Sequence, residues 1–227
     1  MIVLVIIGLA LLAGLIYGPH LWIRRTMAVH GVERPDFPGT GGELARHLLD
    51  KAGLESVKVE RIEGGDHYSP AEKTVRLSAN NFDGRSITAV AVAAHEVSHA
   101  LQDRDGYGPL MMRQKLAGIC IVIERTGSIM MMATPIVFAL TRSPVVLVAE
   151  VVLALGILAS TVVIHVFTLP TEYDASFNRA LPVLEHYLKS EDMPAARSVL
   201  KAAAFTYVAS ALVSLLDIAR WVRILRF

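Results

Sequence analysis

Cysteine is almost missing from these 227 residues: Cys120 stands alone, inside an apolar run. A single thiol permits no disulfide framework within the chain and gives no basis for cysteine ligation of a metal. Cys120 reads as a small hydrophobe in a packed helix. Excess charge is missing too. The 22 Lys and Arg against 21 Asp and Glu leave a net charge of +1, so the chain lacks the basic surplus that gives a reason to expect nucleic-acid binding. There is no internal repeat and no low-complexity tract. From Met1 to Ile23 there is no Asp, Glu, Lys or Arg at all. At about 1.5 Å per residue, a helix of that length crosses a hydrocarbon core of about 30 Å. A cleaved signal peptide is the competing reading. The stretch has no basic segment before it and no clear small-x-small site before Arg24-Arg25, which favours an uncleaved anchor.

Hydrophobicity is what the chain has in plenty. Its residues are 53% hydrophobic and its mean hydropathy is +0.48, too apolar for an ordinary soluble domain and typical of a membrane protein. Leu116 to Leu140 is a second spanning candidate, interrupted by Glu124-Arg125, and Val145 to Leu169 is a third. The link Thr141-Arg142-Ser143-Pro144 is short, so these two helices are expected as antiparallel neighbours. Ala202 to Ala219 is a weaker fourth span, followed by Arg220, Arg223 and Arg226.

The polar part, residues 24–115, carries the local signals. Thr40-Gly41-Gly42-Glu43 resembles a capping box, and helical periodicity follows to Ala52, with Gly53 as its stop. Val57 to Ile62 alternates like a half-buried strand. Gly64 to His67 reads as a turn, Lys73 to Leu77 as a second short strand, and Asn80 to Arg85 as a loop. Ser86 caps the next helix. A short strand just before that helix invites pairing with an extended peptide substrate.

That helix holds His95-Glu96-Val97-Ser98-His99, an H-E-x-x-H motif. Histidines four apart project from one helical face and can share a metal ion. Glu96 is turned about 100° from His95, placed to reach a water on the ion rather than the ion itself. Two imidazole ligands, an activated water and a carboxylate to take its proton make a zinc hydrolase. A catalytic zinc usually has three protein ligands. If the second span leaves the side of the motif and the third returns to it, Glu172 emerges beside the histidines. Glu172 is the favoured third ligand, with Asp174 as the competitor or as a partner holding a ligating histidine. His67, Tyr68, Tyr107, Tyr173 and His186 are available as donors to a developing oxyanion. His20, His30, His47 and His165 have no assigned role.

The stretch Ala91 to Asp103, together with Asp66-His67-Tyr68, Val75-Arg76-Leu77-Ser78 and Thr168-Leu169-Pro170-Thr171-Glu172-Tyr173-Asp174-Ala175-Ser176, resembles the membrane-bound neutral zinc metallopeptidases typified by YugP. The likeness extends to the order of spans and covers nearly the whole chain. It implies a multi-pass membrane metallopeptidase with His95 and His99 as ligands, Glu96 as catalytic acid/base and Zn2+ as cofactor, and it draws His67 toward the site. More distantly the chain is similar to HtpX-type membrane proteases, which follow H-E-x-x-H with E-x-x-x-D. Here position +4 from Glu172 is Ser176 and the acid falls at +2, Asp174.

The expectation is a mainly α membrane protein: a helical transmembrane bundle of three to four spans with a small α+β metalloprotease-like domain. Residues 1–23 form the anchor, 24–115 the catalytic domain, 116–169 a transmembrane hairpin, 170–198 a membrane-surface segment with the third ligand, and 199–227 the weak fourth span and basic tail. Function is expected as zinc-dependent hydrolysis of peptide bonds, in membrane proteins near the bilayer surface. The partners are then a protein or peptide substrate, the lipid bilayer and a possible membrane partner protein, and no nucleic acid. Arg24, Arg25, Arg34, Arg104, Arg113, Lys115, Arg179 and Arg197 oppose Arg142, joined by Arg220, Arg223 and Arg226 if the fourth span crosses and not if it lies on the membrane, and the balance places the active site on the cytoplasmic side of the cell (inner) membrane. The alternatives are a non-catalytic membrane scaffold with a structural metal site, or a protease active only with a partner.

Overall fold

A computed structural model describes residues 2–209. The chain is mostly helical with one small sheet, and it divides into two compact units. One holds residues 1–18, 112–168 and 207–227, and the other residues 19–111 and 169–206.

The first unit is built on long apolar helices. Helix α1 is Ile2–His30, with residues 19–30 belonging to the second unit, and it runs past the expected boundary at Ile23 because Arg24 and Arg25 are good helix formers. Helix α5 is Gly108–Thr141 and helix α6 is Pro144–Phe167. Among the described residues one helix, α5, is long and apolar enough to cross a membrane. Over residues 135–140 its outward side chains are apolar, with Ile136 63% exposed and Leu140 80% exposed, whereas Lys115 and Arg125 are exposed nearer its start and middle. Val145 and Val152 of α6 are exposed as well. Thr126, Thr134 and Thr141 donate their hydroxyls to carbonyls four residues back in α5, so none of these three donors faces an apolar medium unpaired. The rest of the expected fourth span and the basic tail, residues 210–227, lie outside the described residues.

The second unit starts from a local signal. The Thr40 hydroxyl accepts from the Glu43 amide and the Glu43 carboxylate accepts from the Thr40 amide, opening helix α2, Gly41–Lys51. Gly53, at φ +70°, ends it as expected for a left-handed stop. Gly41 is also a point of close approach. A Cβ there would lie 2.1 Å from the Asn81 carbonyl oxygen and 2.7 Å from that of Ala89.

Three strands follow: β1 Lys58–Ile62, β2 His67–Ser69 and β3 Thr74–Ser78, in the order β1-β3-β2. β3 pairs parallel with β1 and antiparallel with β2. The strand before the motif helix is therefore central, with both edges occupied, and cannot accept a further strand. The edge strand on its other side, β2, includes a residue read from sequence as part of a turn. A single helical turn, α3 (Ala79–Phe82), stands where a loop was expected.

Helix α4, Ile87–Arg104, runs through the middle of this unit. Residues 169–206 pack on it as α7 (Leu169–Tyr173), a π-helical turn (Asp174–Ala180), α8 (Leu181–Leu184) and α9 (Met193–Ala204). Ala175, Ala180, Leu184, Val199 and Leu200 are fully buried there. This segment thus belongs to the core around α4 and joins the same unit as residues 19–111.

Candidate metal centre

Small residues explain why α4 can be central. Ser86 caps its start by accepting from the Ala89 amide at 3.1 Å. Ala89, Ala91, Ala93 and Ala94 then leave room for neighbours on several sides, and all four are buried. The polar residues that follow are buried with them: His95 is 4% exposed, Glu96 7% and His99 5%. Burying three such groups is costly unless each has a partner.

The partner comes from α7. Glu172, 2% exposed, turns its carboxylate to both imidazoles. Its Oε2 lies 3.1 Å from His95 Nε2 and 3.5 Å from His99 Nε2. The two rings stand edge-on, with centroids 4.7 Å apart and an interplanar angle of 79°. One ligand atom from each of the three residues falls within 4.8 Å of the others, the one such group of three found among the described residues. Donor atoms each about 2.0–2.1 Å from a tetrahedral zinc sit about 3.3 Å apart, and the two separations between carboxylate and imidazole bracket that value.

The protonation pattern tests whether a cation fits. Ser176 Oγ lies 3.1 Å from the Leu200 carbonyl oxygen and 3.0 Å from His95 Nδ1. A carbonyl only accepts, so the one hydroxyl proton goes to Leu200 and Ser176 accepts from His95 Nδ1–H. The His95 Nε2 then carries a lone pair, and it faces a carboxylate oxygen. His99 Nδ1 likewise meets an acceptor, Gln102 Oε1, at 2.9 Å, which turns a second lone pair toward Glu172. Three acceptors converging on one point in a buried site call for a cation between them, and two nitrogens with one carboxylate oxygen suit zinc.

Asp174 is not in this group. It accepts from Gln102 Nε2 at 2.9 Å, from Arg179 Nε at 2.7 Å and from Asn178 Nδ2 at 3.1 Å. Burial raises its pKa, and these three donors more than offset that, leaving it lowered. The π-helical winding matters here, because it brings Arg179 back over Asp174 five residues earlier. Arg179 also bridges to Asp105, at 2.6 Å, at the end of α4.

His67 lies apart from the histidine pair's metal group, exposed on β2, with Nδ1 3.0 Å from the Gly65 carbonyl oxygen. Its neighbour Asp66 ties the approach to β2 onto the end of β3, where it accepts from the Ser78 amide, the Ser78 hydroxyl and Asn81. Tyr68 donates to Asp103 at 2.7 Å, and Lys73 meets the same oxygen at 2.6 Å, which clamps β2 to the last turn of α4. Burial, together with Asp103, pushes the Tyr68 hydroxyl well above its ordinary value, so its proton stays on that bond. Tyr173 is exposed and stacks on Phe177, Tyr107 lies beside Arg179, and His186 lines a separate 170 Å³ cavity with Lys51 and Ala94.

Gln102 and Ser176 did not stand out as functional residues in the sequence. The available signal was spacing: Gln102 stands three after His99 and Ser176 four after Glu172, each on the ligand's own helical face.

Comparison with known proteins completes this picture. The family described as "Putative neutral zinc metallopeptidase" matches residues 2–226. The Bacillus subtilis (strain 168) protein "Putative membrane protease YugP" is 37% identical over 190 residues, 82% of this chain and 80% of that relative. No solved structure matches. The metal of such a family is Zn2+, the ion the donor set suits. A family match over almost every residue, beside a relative of that similarity, settles its kinship: the chain belongs to the neutral zinc metallopeptidase family.

Proposed function

We propose that this protein is a membrane-embedded zinc-dependent endopeptidase. The observation that carries the reading is the buried meeting of two imidazole lone pairs and a carboxylate oxygen, with Glu96 on the neighbouring face of the same helix. His95, His99 and Glu172 hold the ion. When bound, zinc supplies Lewis acidity, lowering the pKa of a water toward about 7 and polarising a peptide carbonyl. Glu96 takes the proton of the attacking water and passes it to the leaving amine. Ser176 and Gln102 keep the imidazoles in the ligating tautomer.

The membrane assignment rests on chain composition and on the relative's name. The uncharged stretch 1–23, α5 and α6 serve as three spans, with a fourth assigned to the segment after residue 202. Glu172 follows α6 by only five residues along the chain, which favours substrates cut in loops or tails of membrane proteins close to the bilayer. The balance of Arg and Lys places the site on the cytoplasmic side.

The test is zinc content and proteolysis of the detergent-purified full chain, wild type beside Glu96→Gln. Stoichiometric zinc in both with cleavage in wild type alone is the expected result, with activity down by about 10²- to 10⁴-fold or more in the variant. Zinc in both without cleavage would favour the scaffold or the partner-dependent protease. No zinc in either would end the metal assignment.

A further inference from the structure

We infer that Gln102 is the positioning residue that sets the ligating tautomer of His99 and ties that histidine to the helix bearing Glu172, and that Asp174 acts on the site through it. This rests on the reading of His95, His99 and Glu172 as metal ligands. Gln102 is fully buried on α4, one turn beyond His99. Its Nε2 lies 2.9 Å from the Thr171 carbonyl oxygen and 2.9 Å from Asp174 Oδ2. Both partners only accept, so both amide hydrogens are committed. Turning the amide over would set its oxygen against two other oxygens. The amide therefore has one orientation, and it presents Oε1 to His99 Nδ1 at 2.9 Å. An oxygen at that place can only accept, so the His99 proton is held on Nδ1 and the Nε2 lone pair is turned toward Glu172.

One side chain thus handles two ligands. Its oxygen fixes the ring of His99, and its nitrogen fixes the backbone of Thr171, the residue before Glu172. Asp174 supplies the second acceptor that locks the amide, and Arg179 holds Asp174 while reaching Asp105 at the end of α4. The ring closes from α4 through the π-helical turn back to α4. His95 is held independently, through Ser176 and the Leu200 carbonyl on α9. The two histidines therefore separate in their response to change. Asp174, read from the sequence as the competitor of Glu172 or as a partner holding a ligating histidine, acts in the second way, one amide removed.

The experiment compares the full-length protein in detergent with Gln102→Met and Gln102→Glu. Zinc affinity is read by chelator competition, and the histidine tautomers of the zinc-free protein by nitrogen-15 NMR. In wild type both His95 and His99 should carry the proton on Nδ1. Gln102→Met should weaken zinc binding by about 10- to 100-fold and release the tautomer of His99 while that of His95 is unchanged. Gln102→Glu keeps an oxygen for His99 but sets its other oxygen against Thr171 and Asp174, so it too should weaken zinc binding and loosen the His99 tautomer. Wild-type zinc affinity together with an unchanged His99 tautomer in Gln102→Met would overturn the inference. If Gln102→Met loses the His95 signature as well, through misfolding, the wild type decides: a His99 proton on Nδ1 supports the inference and a proton on Nε2 alone overturns it. A wild-type protein that binds no zinc would defeat the metal reading separately, and the zinc-free tautomer of His99 would still decide this one.

Discussion

The two units of this chain use apolar residues in opposite ways. In the unit of α5 and α6, Ile136, Leu140, Val145 and Val152 face outward, and the few buried positions include Cys120, Met131, Thr134 and Ala154. In the unit around α4, Leu49, Val75, Leu77, Leu184 and Leu200 are fully buried, and apart from Glu96, Glu172 and Asp192 the carboxylates and cations lie at least partly outside, as with the exposed pair Arg61–Asp83. Polar groups differ in the same sense. The threonines of α5 satisfy themselves within their own helix, whereas Gln102, Ser176 and Glu172 find partners on other elements. A helix in an apolar medium must close its hydrogen bonds locally. A helix in a water-soluble core can take part in a network, because a packed neighbour supplies the partner. The buried metal group accordingly belongs to the second unit, while in the first unit Glu150 of α6 keeps one buried carboxylate oxygen without a hydrogen-bond partner.

Truncating a core residue should separate the units most strongly. Leu77→Ala should cost the second unit about 2–5 kcal/mol, while Leu140→Ala should barely move its unfolding midpoint in detergent. Equal losses would break the comparison. Next in size, Ile136→Asp places a charge on the outward face of α5. If α5 spans a bilayer, insertion should be opposed by about 2.5–3.5 kcal/mol, measured as the fraction inserted into microsomes. An unchanged inserted fraction would mean that this face is not in lipid. Smaller still, Thr40→Ala removes half of the α2 capping box and should lower stability by about 1 kcal/mol, with zinc content unaffected.

The smallest effect is acid-dependent. Arg179, then Arg104, hold the Asp105 carboxyl below its ordinary value of 3.8. A carboxyl lowered on folding stabilises fully above its unfolded value, and that contribution is lost as pH falls through the lower folded value. The contribution of Asp105 should stay constant down to about pH 4 and be lost below it. Asp105→Asn, which leaves Arg179 on Asp174, should flatten that acid limb by at most about 1 kcal/mol, since the pair is partly solvated. Denaturant midpoints across a pH series measure it, and an acid limb of unchanged depth in the variant would contradict the assignment.

Legibility followed the range of the interaction. The α2 capping box and the Ser86 cap are written within four residues, so their helices could be read directly. β2 was hidden because three residues between glycines and a turn become a strand only by pairing with β3. The π-helical turn has no residue pattern of its own; its winding appears only where Asp174, Ser176 and Arg179 meet α4 and α9. At the site, spacing on one helix made His95, Glu96 and His99 legible as a unit. The choice between Glu172 and Asp174 was open to sequence only through counting crossings and ligand type.

The sequence by itself determined what rests on helix geometry and composition. Two histidines four apart must share a face, and long runs without charge must avoid water. Only the tertiary structure decided which acid stands between them, since Glu172 is 77 positions from His95 and a difference of two residues at that distance changes no local pattern. It also decided where the imidazole protons sit. That is set by a serine hydroxyl spent on the Leu200 carbonyl and by an amide held by Thr171 and Asp174. Such bonds have one orientation only when every partner around them is in place.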